Sequence, residues 1–379
     1  MGQVARQLEA DDFGDGLDRL RLLRSRRVGA VTFHRLMAEH GSASAALRAL
    51  PAIALAAGVK DYEVCPVGVV EAELRAGRAA GARLLHHGEA GYPQALMDIP
   101  DAPPILWALG DISLLNRPAV SLVGARNASS LGARMARRLG QGVAEAGFTV
   151  VSGLARGIDA AAHEAALGFD GRTIAVMAGG IDVIYPPENA ALAAALDATG
   201  CRISEHPPGL EPQARHFPLR NRIVAGLSRA VIVVEAAAKS GSLITAKAAL
   251  DYGRDVMAVP GHPFDARASG CNMLIRDGAL LVRGPQDVLE ALGAPGAAQT
   301  EPEMRLPPLP GPTAPQRPLK DVALLHSMIL NRLGPSPLAE DQLMRDLNVT
   351  SAQLAPELLT LELDGRISRQ PGGLLARVS

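Results

Sequence analysis

The chain has 379 residues, is 48% hydrophobic and carries a formal net charge of −1 at pH 7. That length allows two or three domains with a full core, and no apolar run is long enough for a membrane span, so no membrane contact is expected. Near-neutral charge argues against a uniformly basic nucleic-acid grip but leaves room for a local positive cluster.

The first 18 residues are polar and acidic, unlike a signal peptide. Cys65, Cys201 and Cys271 are far apart and odd in number, which points to a reducing cytoplasm with no disulfide framework and no zinc module. Residues 1–85 predict a small helical domain. Leu17, Leu20, Leu22, Leu23, Val28, Phe33, Leu36 and Met37 recur at helical spacing, broken at Val28-Gly29, and further helical runs cover 43–50 and 67–80. Arg26-Arg-Val-Gly29 between two helices has the form of a helix-hairpin-helix turn. A glycine there lets backbone N–H groups meet a phosphate, although such a turn commonly only reverses the chain.

From Gly91 the pattern changes to α/β. Residues 105–110 predict a short strand, and further strands are predicted at 119–123, 149–152, 173–178, 202–205, 230–235, 256–259 and 280–282. Helical patterns fall between them at 132–146, 159–167, 188–196, 221–227, 243–252 and 271–277. Apolar strands alternating with helices predict a parallel sheet covered on both faces, over residues 88–292.

Residues 293–319 read as a Pro-rich linker, since eight of the 28 prolines lie between Pro295 and Pro318. Residues 320–379 predict three helices and a hairpin of strands 367–370 and 374–378, a winged-helix-like domain. Its expected reading helix, 350–363, has no Lys or Arg, contains Glu357 and Glu362, and is expected to be interrupted by Pro356. A helix of that charge suits protein docking better than a DNA groove.

Polar residues concentrate at the loops that follow the strands. Phe217-Pro-Leu-Arg-Asn-Arg222 places Arg220, Asn221 and Arg222 at the start of a short helical pattern. Lys239-Ser-Gly-Ser242 then opens the next helix, in a chain with only four lysines. Guanidiniums, hydroxyls and free N–H groups at a helix start are what a phosphate-bearing ligand needs. The first βα turn supplies Gly124 and Arg126, and the second, Ser152-Gly-Leu-Ala-Arg-Gly157, supplies Gly153 and Arg156. The first turn lacks G-x-G-x-x-G spacing, and no acidic residue is placed to hold a ribose, so dinucleotide binding is disfavoured. Asp159 and His163 are i,i+4 and read as a helix-dipole complement and its partner, with an acid/base pair as the alternative. Glu235 reads as a possible base or as a carboxylate that orients Arg220 or Arg222. Aromatics make up 3% of the chain and only Phe217 lies near the cluster, so single-strand binding here would act through phosphates.

These motifs, with Tyr185-Pro-Pro-Glu-Asn189 and Ala258-Val-Pro-Gly261, closely resemble the DNA-processing protein family DprA/Smf over residues 88–292. The resemblance implies an α/β fold with an extended Rossmann-like sheet, a small helical N-terminal domain and a C-terminal winged-helix domain. It implies a non-enzymatic, cofactor-free homodimer that binds single-stranded DNA in a basic pocket and helps load RecA in transformation. Arg126, the Arg220-Asn221-Arg222 triplet and Lys239 to Ser242 stand at the family's motif positions, with Arg215 as a looser basic match. Two other readings stay open. One is a nucleotide phosphoribohydrolase of the lysine-decarboxylase-like (LOG) kind, whose Pro-Gly-Gly-x-Gly-Thr-x-x-Glu pattern is missing here. The other is a partner-docking scaffold.

Overall fold

The computed structural model describes residues 15–169, 172–295, 319–333, 338–370 and 374–377. The expected linker at 293–319 therefore lies almost wholly outside the described residues. The chain divides into two compact units, residues 1–67 with 303–379, and residues 68–302.

In the first unit, α1 (15–24), α2 (Ala30–His40) and α3 (Ala43–Ala56) bury one apolar stripe each, with Leu22, Phe33, Leu36 and Leu47 at the centre. The break falls where the sequence places it, with Gly29 capping α2 in extended backbone and Gly41 closing it in the left-handed region.

The second unit is built on nine strands: β1 (Arg83–His86), β2 (Ile105–Gly110), β3 (Ala119–Gly124), β4 (Thr149–Ser152), β5 (Thr173–Val176), β6 (Cys201–Ser204), β7 (Ala230–Glu235), β8 (Asp255–Ala258) and β9 (Leu280–Leu281). Their order is β1-β2-β6-β5-β4-β3-β7-β8-β9. Strands β3 to β9 pair in parallel, but β1 and β2 add antiparallel at one edge, so the sheet is mixed rather than wholly parallel. The chain runs outward from β3 to β6 and then returns to place β7 on the other side of β3. The β3–β7 boundary is thus the topological switch point, where doubly wound sheets open a crevice at their carboxyl edge.

The helices of this unit are α4 (Val67–Ala79), α5 (Gln94–Met97), α6 (Ser130–Glu145), α7 (Ile158–Leu167), α8 (Ala190–Thr199), α9 (His216–Gly226), α10 (Ser242–Asp251), α11 (Ser269–Arg276) and α12 (Pro285–Leu292). The period-2 alternation of the central strands divides them between two faces. Ala119 and Val123 of β3, with Val231 and Val233 of β7, face α9, α10 and α11. Val120 and Leu122, with Ala230 and Ile232, face α6, α7 and α12. Helix α9 begins at His216, five residues before the sequence pattern suggests, because Pro218 lies in its first turn, where a missing N–H costs nothing.

The remainder of the first unit is α13 (Leu319–Arg332), β10 (Leu338–Ala339), α14 (Glu340–Leu347), α15 (Ser351–Leu363), β11 (Ile367–Gln370) and β12 (Leu374–Arg377). Three strands in the order β10-β12-β11 and three helices close on Ile329, Leu343, Leu354, Leu358 and Leu375 in a winged-helix arrangement. Pro356 does not interrupt α15, which runs through it from a Thr350–Gln353 capping box. Helix α13 packs against α3, so the two ends of the chain form one unit. Among the described residues no helix is long and apolar enough to cross a membrane.

Helix α4 belongs with the sheet because of one close approach. Trp107 of β2 is buried and donates its indole N–H to Glu73 Oε1 at 3.1 Å. A Cβ on Gly77 would lie 2.1 Å from the Trp107 ring. Replacing a mid-helix glycine by alanine ordinarily gains about 0.5–1 kcal/mol. Here the ring and its buried hydrogen bond must move, at about 1–3 kcal/mol. Gly77→Ala is expected to lower the urea midpoint of the protein, and an unchanged or raised midpoint would show that α4 is not seated on Trp107.

Candidate functional site

At the carboxyl edge beside the switch point, on the α9–α10 face, lies a pocket of about 250 Å³. The ends of β3 and β4 give Gly124 and Gly153, α9 gives Phe217, Arg220 and Asn221, and the start of α10 gives Ser240, Gly241 and Ser242. Arg126 stands at the mouth. These nine residues come from four separate chain segments, brought together because parallel strands deliver all their following loops to one edge.

The arginines take different roles. Arg126 is exposed and has no carboxylate partner among the described residues. Its guanidinium lies over the Phe217 ring, 4.6 Å from the centroid, and that ring packs on Tyr185 at 5.7 Å. Arg220 is buried, 5% exposed, and lies in the second turn of α9 rather than at a free helix start. Its Nη1 donates to the carbonyls of Gly153, at 2.6 Å, and Val176, and its Nε donates to Asn221 Oδ1 at 3.2 Å. Burial lowers the Arg220 pKa to about 10, with Asp159 opposing the shift and Arg126 adding to it, so the group is charged at neutral pH. A Cβ on Gly153 would lie 2.1 Å from Nη1, so only glycine admits the guanidinium.

Arg222 is placed elsewhere than the sequence suggests. It pairs with Glu205 and, at 3.7 Å, with Asp101, whose other oxygen accepts from Tyr252. Residues i and i+2 of a helix do not share a side, so Arg222 points away from the pocket that holds Arg220. Lys239 is exposed on the loop before α10 and outside the lining. Arg215, exposed at the N-cap of α9, donates to His216. Arg156 lines a small neighbouring cleft with Arg126, Tyr185 and Phe217, and is paired with Glu188 at 3.4 Å. Tyr185 was not expected near the cluster. Its signal was the Tyr185-Pro186 motif, but nothing local shows that it meets Phe217.

The start of α10 gives the pocket two hydroxyls. Ser240 Oγ and Ser242 Oγ are 2.8 Å apart, and Ser242 N–H donates only weakly to Ser240 Oγ at 3.4 Å. Gly241 has helical dihedrals, and a Cβ there meets nothing within 4 Å. Neither backbone nor packing requires this glycine, so the open space above it belongs to the pocket.

The carboxylates and His163 do not form an acid/base apparatus. Asp159 is buried and accepts from the N–H groups of Gly153 and Ala155 at 3.1 and 3.4 Å. Burial raises its pKa, and the Arg220 charge and these hydrogen bonds oppose the rise. His163 is not its partner. The Thr173 hydroxyl donates to Val150 O at 2.9 Å, so it must accept from His163 Nδ1–H at 2.7 Å, which fixes the neutral tautomer. Glu235 orients neither arginine. It accepts from Ser129 N–H and, at 2.5 Å, from Ser129 Oγ, which ties the end of β7 to the start of α6.

A doubly wound sheet with a polar pocket at its switch point, Arg126 at the rim, defines an α/β protein of the class that binds ligands at the carboxyl edge of its sheet. The family described as DNA recombination-mediator protein A matches residues 83–293, its N-terminal helix-hairpin-helix domain matches 14–76, and its winged-helix domain matches 312–373. Protein Smf of Synechocystis is 39% identical over 304 residues, which cover 74% of this chain and 76% of that protein. The DNA processing protein DprA of Bacillus subtilis is 44% identical over 230 residues, 60% of this chain and 77% of that one. The crystal structure of DprA from Streptococcus pneumoniae superposes with a TM-score of 0.56 at 36% identity, over 70% of this chain and 98% of that one. DprA from Helicobacter pylori, solved for its single-stranded DNA binding mode, gives 0.51 at 30% identity over 56% and 95%. The chain belongs to the DprA/Smf family of DNA-processing proteins.

His163 generates a pH prediction. Burial, and then the Arg220 charge, lower its pKa from the ordinary 6.5 to about 3. A base depressed in the folded state contributes stability that is present above its unfolded pKa and is lost as pH falls toward the folded one. The parent should lose stability below about pH 6.5, with this group contributing a slope of up to about 1.4 kcal/mol per pH unit. His163→Asn keeps a donor for Thr173 and should flatten that slope in urea melts from pH 7 to 4. Parallel curves for the two proteins would refute a buried neutral histidine.

Proposed function

We propose that the pocket beside the switch point binds the sugar-phosphate backbone of single-stranded DNA, and that the protein acts by holding the strand and not by catalysis. The observation that carries this reading is Arg126. It is an exposed guanidinium with no carboxylate partner among the described residues, held by an aromatic ring at the mouth of a polar pocket lined by the Ser240 and Ser242 hydroxyls at a helix start. Phe217 and Tyr185 add ring faces for a base without selecting one. The name of the Helicobacter pylori protein states single-stranded DNA binding for that relative, which supports the same ligand here.

A hydrolase at this position would need a carboxylate free to act on substrate. The pocket's carboxylate, Asp159, is held by two N–H groups and the Arg220 charge, which supports the non-catalytic reading. A strand gripped by its phosphates leaves base edges open to a second protein, and the family's description as a recombination mediator supports transfer to RecA. In the same reading the protein is a cytoplasmic homodimer joined through the sheet unit. The edge strand β9 leaves Leu280 and Leu281 exposed, with the exposed Leu250 of α10 in the same groove, which supports association at that edge.

Arg126→Ala should weaken binding to single-stranded oligonucleotides whatever their sequence, and reduce the salt dependence by about one phosphate contact. Gly241→Leu should block the pocket while leaving the melting temperature within about 2 °C of the parent, since a Cβ there meets nothing within 4 Å. Fluorescence titrations at several salt concentrations read both, and parental affinity in both variants would remove the pocket from DNA binding.

A further inference from the structure

A second cavity opens at the same carboxyl edge on the opposite face of the sheet. It has a volume of about 530 Å³ and lies between α6, the ends of β7 and β8, and the loop that follows β8. The two cavities straddle the switch point. The loop after β3 joins them, with Arg126 in the first and Ser129 in the second. We propose that this second cavity is a nucleotide subsite, occupied by the next part of the same DNA strand after it crosses the β3–α6 loop.

Three features define the ligand. Arg134 and Arg138 line the cavity, are exposed, and pair with no carboxylate among the described residues, whereas Arg137 beside them faces Glu164 at 3.6 Å. Two free guanidiniums at one rim match an anionic linker. Phe264 is 94% exposed on the loop whose His262 and Asp265 line the cavity, with its ring 5.6 Å from that of His262. An aromatic side chain held fully in solvent by a loop has no packing role, and its open face matches a base. Glu235, 7% exposed, lies at the base of the cavity, and its carboxylate has lone pairs beyond those that accept from Ser129. Such an acceptor suits the amino group of a base.

A ligand that is flat and apolar at one end and anionic at the other, delivered from a phosphate pocket across a switch point, is a nucleotide in a chain. The volume falls within the range of nucleotide-sized sites. A peptide would match neither the exposed ring beside His262 nor the two arginines without a carboxylate partner among the described residues as well.

This inference rests on the binding reading of the first pocket, so its test separates the two. Oligonucleotides of about 3 to about 15 nucleotides, spanning the site sizes of single-strand grooves, would be titrated against the parent, Phe264→Ala, Arg134→Ala and Arg126→Ala. Phe264 and Arg134 are exposed, so loss of fold is not expected. Phe264→Ala and Arg134→Ala should each weaken the longer strands about fivefold or more and leave the shortest ones within about twofold, matching the loss of one stacked base or one phosphate. Arg126→Ala should weaken every length. Bromouracil-substituted strands, irradiated on the parent protein, should crosslink within the tryptic fragment 255–267, which contains His262 and Phe264. If Arg126→Ala weakens binding but the other two variants match the parent at every length and no crosslink falls in 255–267, the second subsite is overturned and the first pocket stands. If Arg126→Ala matches the parent too, the first reading fails with it.

Discussion

The candidate site depends on one buried charge. Arg220 sits under the pocket at 5% exposure, where an unpaired guanidinium would cost several kcal/mol. It is retained because its donors meet the carbonyls of Gly153 and Val176, just past β4 and at the end of β5, and because Asp159 of α7 supplies the opposing charge. Backbone carbonyls at the carboxyl edge have no further strand residues to bond, so the guanidinium satisfies groups that would otherwise need water. One side chain from α9 thereby ties together two strand ends and a helix on the other face of the sheet. The requirement for glycine at 153 follows from the same contact.

That anchoring separates roles that look alike in sequence. Arg220 and Arg222 flank Asn221, but i and i+2 on a helix lie about 200° apart, so they serve opposite sides of α9. Arg220 supports the pocket floor, and Arg222 fastens α9 to Glu205 and Asp101. Only Arg126, on a loop, keeps its charge unengaged at the mouth. The triplet reads as three ligands if α9 is started at Asn221, and as one anchor, one lining amide and one outer clamp once it starts at His216.

The sheet was legible because its inner strands are buried on both faces and read as apolar runs, and β3, β4 and β7 fall where those runs lie. The antiparallel edge was not legible. Arg83-Leu-Leu-His86 carries no β-branched or alternating signal, and its strand character comes from pairing with β2. β10, at two residues, is likewise made by its partner β12. Pro356 misled because a proline inside a helix ordinarily breaks it. Here the buried Leu354, Leu358 and Leu361 hold α15 together across the missing N–H. Which strand-end residues form the pocket was legible, since parallel topology sends those loops to one edge. Which of them are spent on protein contacts was not, because Glu235–Ser129 and His163–Thr173 join residues that no local pattern links.

Net charge hides where the field lies. Much of the arginine surface is neutralised in place: Arg137 faces Glu164, Arg156 faces Glu188, Arg283 faces Asp287 and Arg332 faces Asp346. Exposed pairs of this kind contribute about 0–1 kcal/mol to stability, but each removes a positive charge from the long-range potential. Arg126, Arg134 and Arg138 have no such partner among the described residues, and with Lys239 nearby they place positive charge around the switch point at one edge of the sheet. The winged-helix part shows the opposite arrangement, since α15 has no basic residue and its Glu357 is engaged by His326 at 2.6 Å. A net charge of −1 therefore does not conflict with the proposed strand site, because a local cluster of positive charge at one edge of the sheet does not require a basic chain.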